Sequence, residues 1–76
     1  MFEKVVEIFE KNIDLSDKKI TMETTLLQGL EINSLELVEI ICAFEETFDI
    51  VVNEREIRRF VKVQDIVEYL ERVTSQ

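Results

Sequence analysis

Gly29-Leu30-Glu31-Ile32-Asn33-Ser34-Leu35-Glu36-Leu37-Val38-Glu39-Ile40 reads as a loop that runs into an amphipathic helix. At about 100° per residue, Leu37, Ile40, Ile41, Phe44 and Phe48 fall on one stripe, which is the spacing of a core face. Leu35, Val38 and Cys42 fall on a different side, within about 60° of one another. Glu39 and Glu46 flank this second patch on one edge and Glu45 on the other, and no Lys or Arg follows until Arg55. The pattern predicts a helix from about Ser34 to Phe48 with an inward apolar face and an outward apolar patch rimmed by acids. A wider core face in a crowded bundle would explain that patch blandly. Four acids, Glu36, Glu39, Glu45 and Glu46, with no cation to offset them favour a docking surface instead, because helix surfaces normally mix the two signs.

Ser34 stands where the loop becomes helix. Serine at that place is often only a cap that satisfies a free amide. Asn33 just before it can cap equally well. If Asn33 does so, Ser34 is the first helical residue, its hydroxyl points outward, and a phosphodiester attached there meets the positive end of the helix. Ser34 is therefore the candidate modification site.

The rest of the chain supplies a scaffold. Phe2, Val5, Val6, Phe9 and Ile13 recur at spacings of three and four, which predicts a first helix from about Phe2 to Asn12; Ile8 lies off the centre of its stripe. From Asp14 to Asn33 the periodicity fades into loop formers, among them Ser16, Asp17, Thr21, Thr24 and Thr25. The aliphatics Leu15, Ile20, Met22, Leu26, Leu27, Leu30 and Ile32 are scattered through it. So long a connection is unusual in a small domain and tends to be functional or to hide a short helix; the aliphatics predict that it is ordered and pinned over the core. Ile50-Val51-Val52 reads as an extended link. Asn53 and Glu56 have capping-box spacing ahead of a short helix from Glu54 to about Phe60. Its Arg55, Arg58 and Arg59 read as a solvated face balancing the acids, with the question of whether Arg58 and Arg59 fold back on those acids left open. Val63, Ile66, Val67 and Leu70 predict a last helix to about Val73, weakly capped because Lys62 stands where Ser, Thr or Asp is favoured, with Thr74-Ser75-Gln76 frayed. The fold class expected is all-α: a small four-helix bundle, one helix short, with a long loop between helices one and two, and residues 1–76 as a single domain.

Composition narrows function. The 76 residues hold 17 acids against 9 Lys and Arg, a formal charge of −8, which argues against nucleic acid and anionic membranes and favours basic partner surfaces. There is no histidine, so a histidine-based triad is impossible, and a chain this short leaves little volume for a substrate pocket. Catalysis is not expected. The single Cys42 allows no internal disulfide, and its acidic neighbours discourage nucleophilic use. The Asp14-to-Thr25 stretch lacks the central glycine and closing glutamate of a calcium loop. No apolar run reaches membrane-spanning length. Met1-Phe2-Glu3-Lys4 lacks the basic start of an export signal, so the cytoplasm is the expected location. A monomer is expected.

Asn33-Ser34-Leu35-Glu36-Leu37-Val38-Glu39 resembles the Asp-Ser-Leu motif of acyl carrier proteins. The resemblance extends over essentially the whole chain, through Phe44-Glu45-Glu46-Thr47-Phe48, Ile50-Val51-Val52 and Val63-Gln64-Asp65-Ile66-Val67-Glu68-Tyr69-Leu70. It implies a carrier whose Ser34 receives a covalent 4'-phosphopantetheine arm from coenzyme A through a phosphopantetheinyl transferase. The arm's thiol would hold acyl groups as thioesters and deliver them to partner enzymes of fatty-acid, polyketide or related synthesis. Residues matching the family's partner-recognition surface are Leu35, Glu36, Val38, Glu39, Cys42, Glu45 and Glu46, with Asn33 beside them, and the acyl-loading and acyl-transferring partners present basic docking patches. Asn33 replaces the usual aspartate, Glu31 stands where many fatty-acid carriers have glycine, and Cys42 where methionine is frequent. These departures point to a specialised carrier. The alternatives are an aminoacyl or peptidyl carrier, which shares the fold, and a carrier-like interaction module without the arm.

Overall fold

The computed structural model of the chain describes residues 1–15 and 18–74. It contains four helices, α1 (Phe2–Asn12), α2 (Ser34–Phe48), α3 (Glu54–Arg59) and α4 (Val63–Thr74). No sheet forms among the described residues, where a lone antiparallel bridge joins Thr25 to Lys62. The fold class is the all-α bundle expected from periodicity, and the boundaries of α3 and α4 differ from that reading by one residue each.

The core is built from the stripes the sequence marks. Val5 and Phe9 of α1, Ile40 and Phe44 of α2, and Val63, Ile66, Val67 and Leu70 of α4 are all essentially inaccessible. Phe9 meets Phe44 edge-on at 5.8 Å between ring centroids, and Phe44 stacks on Phe48 at 6.4 Å. Ile8 is buried too, so the inward face of α1 is wider than its central stripe. Truncating a core phenylalanine such as Phe44 to alanine costs about 3–5 kcal/mol. A chain this short has only about that much net stability. The orientation of α2 is thus set by its buried face, and whatever lies opposite is held rigidly toward solvent.

The connection from α1 to α2 is a layer of the core rather than a loose loop. Ile20, Leu26, Leu30 and Ile32 are buried within it. Its backbone is stitched to the start of α4: the Leu26 amide donates to the Val61 carbonyl (2.8 Å), the Val63 amide to Thr24 (2.9 Å) and the Gln64 amide to Met22 (2.9 Å). Gly29 closes a tight turn on Thr25, donating its amide to Thr25 Oγ1 at 2.8 Å. A Cβ at Gly29 would lie 2.6 Å from the Thr25 carbonyl oxygen, closer than atoms tolerate, so the turn requires glycine. The expected loop residues Ser16 and Asp17 lie outside the described residues, as do Ser75 and Gln76.

Two helix ends differ from expectation. α4 is well capped: Asp65 Oδ2 accepts from the amides of Val61 and Lys62, both at 2.9 Å. Those two amides precede the helix; its own first amides, of Val63 and Gln64, donate to the Thr24 and Met22 carbonyls of the connection, which serve where Lys62 has no acceptor. Thr74 is still in the last turn of α4 and donates its hydroxyl to the Leu70 carbonyl at 2.6 Å, rather than fraying. At the other junction, α2 ends on Asp49 in a left-handed conformation (φ 55°), with the Ile50 amide donating to the Glu45 carbonyl at 3.1 Å. This is the reversal that turns the chain into the extended 50–52 link.

Candidate functional site

Asn33, not Ser34, caps α2. Its φ is −95° and ψ 176°, and its Oδ1 accepts from the Glu36 amide at 2.8 Å. Glu36 answers by accepting from the Asn33 amide at 3.1 Å, which completes a reciprocal capping box. Ser34 is then the first residue of α2, exposed, and its hydroxyl makes no hydrogen bond among the described residues. The signal for the full box, Asn33 followed three places later by Glu36, was present in the sequence. Only Asn53–Glu56 was read that way there. At Asn53 the box is half made: Asn53 Oδ1 accepts from the Glu56 amide (3.1 Å), while the Glu56 carboxylate turns to Arg59 and Arg72 at 4.0 Å.

Down the solvent side of α2, Leu35 is 69% exposed and Val38 42%. Cys42 is an exposed free thiol. These three make the outward patch expected from helical periodicity, and the wider-core alternative is excluded by their exposure. The rim acids divide. Glu39 and Glu46 are exposed and make no ion pair among the described residues. Glu36 is half-buried and engaged in the cap. Glu45 is half-buried and accepts from the Val52 amide at 2.7 Å, tying α2 to the link that leads into α3. Glu36 and Glu45 therefore serve the fold first, leaving one carboxylate oxygen each for a partner.

Upstream, Glu31 has φ 55°, in the left-handed region that favours glycine. The left-handed residue sends the chain from buried Leu30 and Ile32 into the cap of α2. Glu31 also pairs with Lys18 at 3.1 Å across the connection.

A groove of about 320 Å³ opens beside Ser34 between α2, α3 and the connection, walled by Leu27, Val38, Ile57 and Phe60 among others, with Arg58 on its lining. Arg58 does not fold back on the acids of α2. Sequence reasoning treated it as a solvated charge. Its membership of this groove depends on how α3 is set against the connection, for which local periodicity carries no signal.

Residues 3–70 match the family described as "Phosphopantetheine attachment site". Over its whole 76 residues the chain is 34% identical to the whole of the acyl carrier protein of Clostridium perfringens (strain 13 / Type A). The chain belongs to the acyl carrier protein family. Other carriers of the family agree. That of Akkermansia muciniphila is 37% identical over 71 residues, covering 93% of this chain and 89% of that one. That of Trieres chinensis is 39% identical over 70 residues, covering 92% and 88%. As an acyl carrier, the protein is expected to display a modifiable group at a place partners can reach. The exposed hydroxyl, the rigid helix beneath it and the groove beside it fit a covalent arm of the phosphopantetheine kind. No described helix is long and apolar enough to cross a membrane.

Proposed function

We propose that Ser34 carries 4'-phosphopantetheine as a phosphodiester on Oγ, and that the protein shuttles acyl groups between enzymes. The observation that carries this reading is the division of labour at the start of α2. Asn33 satisfies the helix amide, so Ser34 Oγ is exposed and uncommitted where an anion is electrostatically favoured. When bound, the arm supplies a thiol that holds the cargo as a thioester. The chain's own contribution is to hold Ser34 on a rigid helix and to offer a face by which partners are selected.

That face is Leu35, Val38 and Cys42, with Glu39 and Glu46 as its free charges and Asn33, Glu36 and Glu45 at its margins. A partner suited to it presents Lys or Arg around an apolar recess. Opposite charge speeds encounter and fixes register, while the apolar centre holds the complex once formed. A phosphopantetheinyl transferase and the enzymes that load and unload the arm are the partners this reading requires.

Mass spectrometry after incubation with coenzyme A and a broad-specificity transferase tests it. A gain of one phosphopantetheine group is expected, and none in Ser34→Ala. A gain that persists in Ser34→Ala removes Ser34 as the site. Asn33→Asp keeps the capping acceptor and adds one negative charge beside Ser34, so faster loading is expected from a transferase that reads that charge. If neither protein is loaded by several transferases, the interaction module without an arm is the better reading.

A further inference from the structure

We propose that Arg58 is an anion-binding residue for the arm: its guanidinium takes the phosphodiester on Ser34 Oγ. The inference rests on Ser34 as the attachment site and goes beyond it by naming the chain's own group that receives the charge. Arg58 and Ser34 line the same groove of about 320 Å³. No described carboxylate lies within ion-pair distance of Arg58, as also for Lys4, Lys19, Arg55 and Lys62, and of these five cations Arg58 is the one that lines the groove with Ser34.

The neighbourhood explains why this arginine, among the three on α3, is the one to bind. Leu27 and Phe60 line both grooves that Arg58 lines, so apolar side chains share its surroundings while the residue itself is exposed. Arg55 lines neither groove, and Arg59 leans to Glu56. A guanidinium presents a planar fork of donors that matches phosphate oxygens and is less strongly hydrated than an ammonium. Both Ser34 and Arg58 are exposed, so the contact is one that salt screens. Glu54 is the competing group. It lines the same groove one helical turn before Arg58, the favourable order for a pair, yet it stays beyond ion-pair distance. Arg58 is thus available to an anion fixed at Ser34. The same oxyanion chemistry could come from the carboxylate of a dicarboxylic cargo; the phosphodiester is preferred because it is attached at Ser34 Oγ itself.

The test uses uniformly ¹⁵N-labelled full-length protein in four states: unloaded, carrying the free arm, carrying an acetylated arm, and carrying a succinylated arm. On arm attachment, the Arg58 Nε–H signal is expected to shift and its exchange with water to slow severalfold in about 50 mM NaCl, reverting toward the unloaded value in about 500 mM NaCl. The ³¹P signal of the loaded protein is expected to move in Arg58→Gln and to return part-way in Arg58→Lys, with melting curves confirming that both variants fold. An unmoved Arg58 signal, with coincident ³¹P signals in wild type and Arg58→Gln, overturns the proposal while leaving Ser34 loaded. A shift seen only with the succinylated arm overturns the phosphodiester and assigns the site to the cargo carboxylate. Absence of any mass gain overturns the Ser34 reading and this proposal with it.

Discussion

Asn33→Ala and Ser34→Ala, neighbours by one residue, should differ sharply in stability. Asn33 Oδ1 is the acceptor for the Glu36 amide at 2.8 Å, and alanine removes it. Replacing such a cap by alanine costs about 0.5–2 kcal/mol, typically about 1. The Asn33 amide still donates to Glu36 after the change, and the site is exposed, so water recovers part of the loss. A value near 1 kcal/mol follows. Against a net stability of roughly 3–5 kcal/mol that is a quarter or so of the whole. It lowers the melting temperature by about 4–8 °C and the urea midpoint by about 1 M. Ser34→Ala removes a hydroxyl with no hydrogen bond among the described residues and substitutes a better helix former, so the change should stay within about 0.5 kcal/mol and can be stabilising. Urea titrations followed by circular dichroism, with the two variants side by side, decide it. If Ser34→Ala costs as much as Asn33→Ala, Ser34 shares the cap and its hydroxyl is not free for modification. The reasoning behind the attachment site would then fail at its first step.

Glu31→Gly relieves a left-handed backbone that costs about 1–2 kcal/mol, against about 0.5–1 for glycine's extra entropy and a small loss from the exposed Lys18 pair. Thermal melts should show it slightly more stable than wild type and clearly more stable than Glu31→Ala; the reverse order would contradict the strain argument. Glu45→Ala should cost about 1.5–3 kcal/mol, because a charged acceptor for the Val52 amide is lost. Glu39→Lys and Glu46→Lys should stay within about 0.5 kcal/mol yet slow loading by a transferase at low salt; if either unfolds the protein, the patch is core after all. Gly29→Ala forces a Cβ against the Thr25 carbonyl and should cost about 1–3 kcal/mol by chemical denaturation. A neutral result would mean that the turn opens freely.

Helices and their faces were legible in the sequence because they are local. The stripe of Leu37, Ile40, Ile41 and Phe44, and the separate patch of Leu35, Val38 and Cys42, follow from the helical repeat alone, and burial divides them as that repeat does. The candidate serine was legible for a related reason: Asn33 and Ser34 are adjacent, and a cap concerns only the next three residues. The start of α4 was not legible in this way: Lys62 is a poor cap residue, and the Val63 and Gln64 amides are satisfied by the Thr24 and Met22 carbonyls from a distant segment.

Tertiary structure decided what local pattern cannot encode. Among four acids of one helix, it tied Glu45 to the Val52 amide and left Glu39 and Glu46 exposed, because a carboxylate's role depends on which chain segment is folded against it. It made the long connection a core layer by joining residues 22–26 to 61–64 through backbone hydrogen bonds. It also set Arg58 of α3 in one groove with Ser34 of α2. The sequence by itself determined four helices, a hydroxyl at the start of the second that is free if Asn33 caps, and an acid-rimmed face beside it. Which charges remain available around that hydroxyl depended on long-range packing, since burial and hydrogen bonding are settled only when separate segments meet.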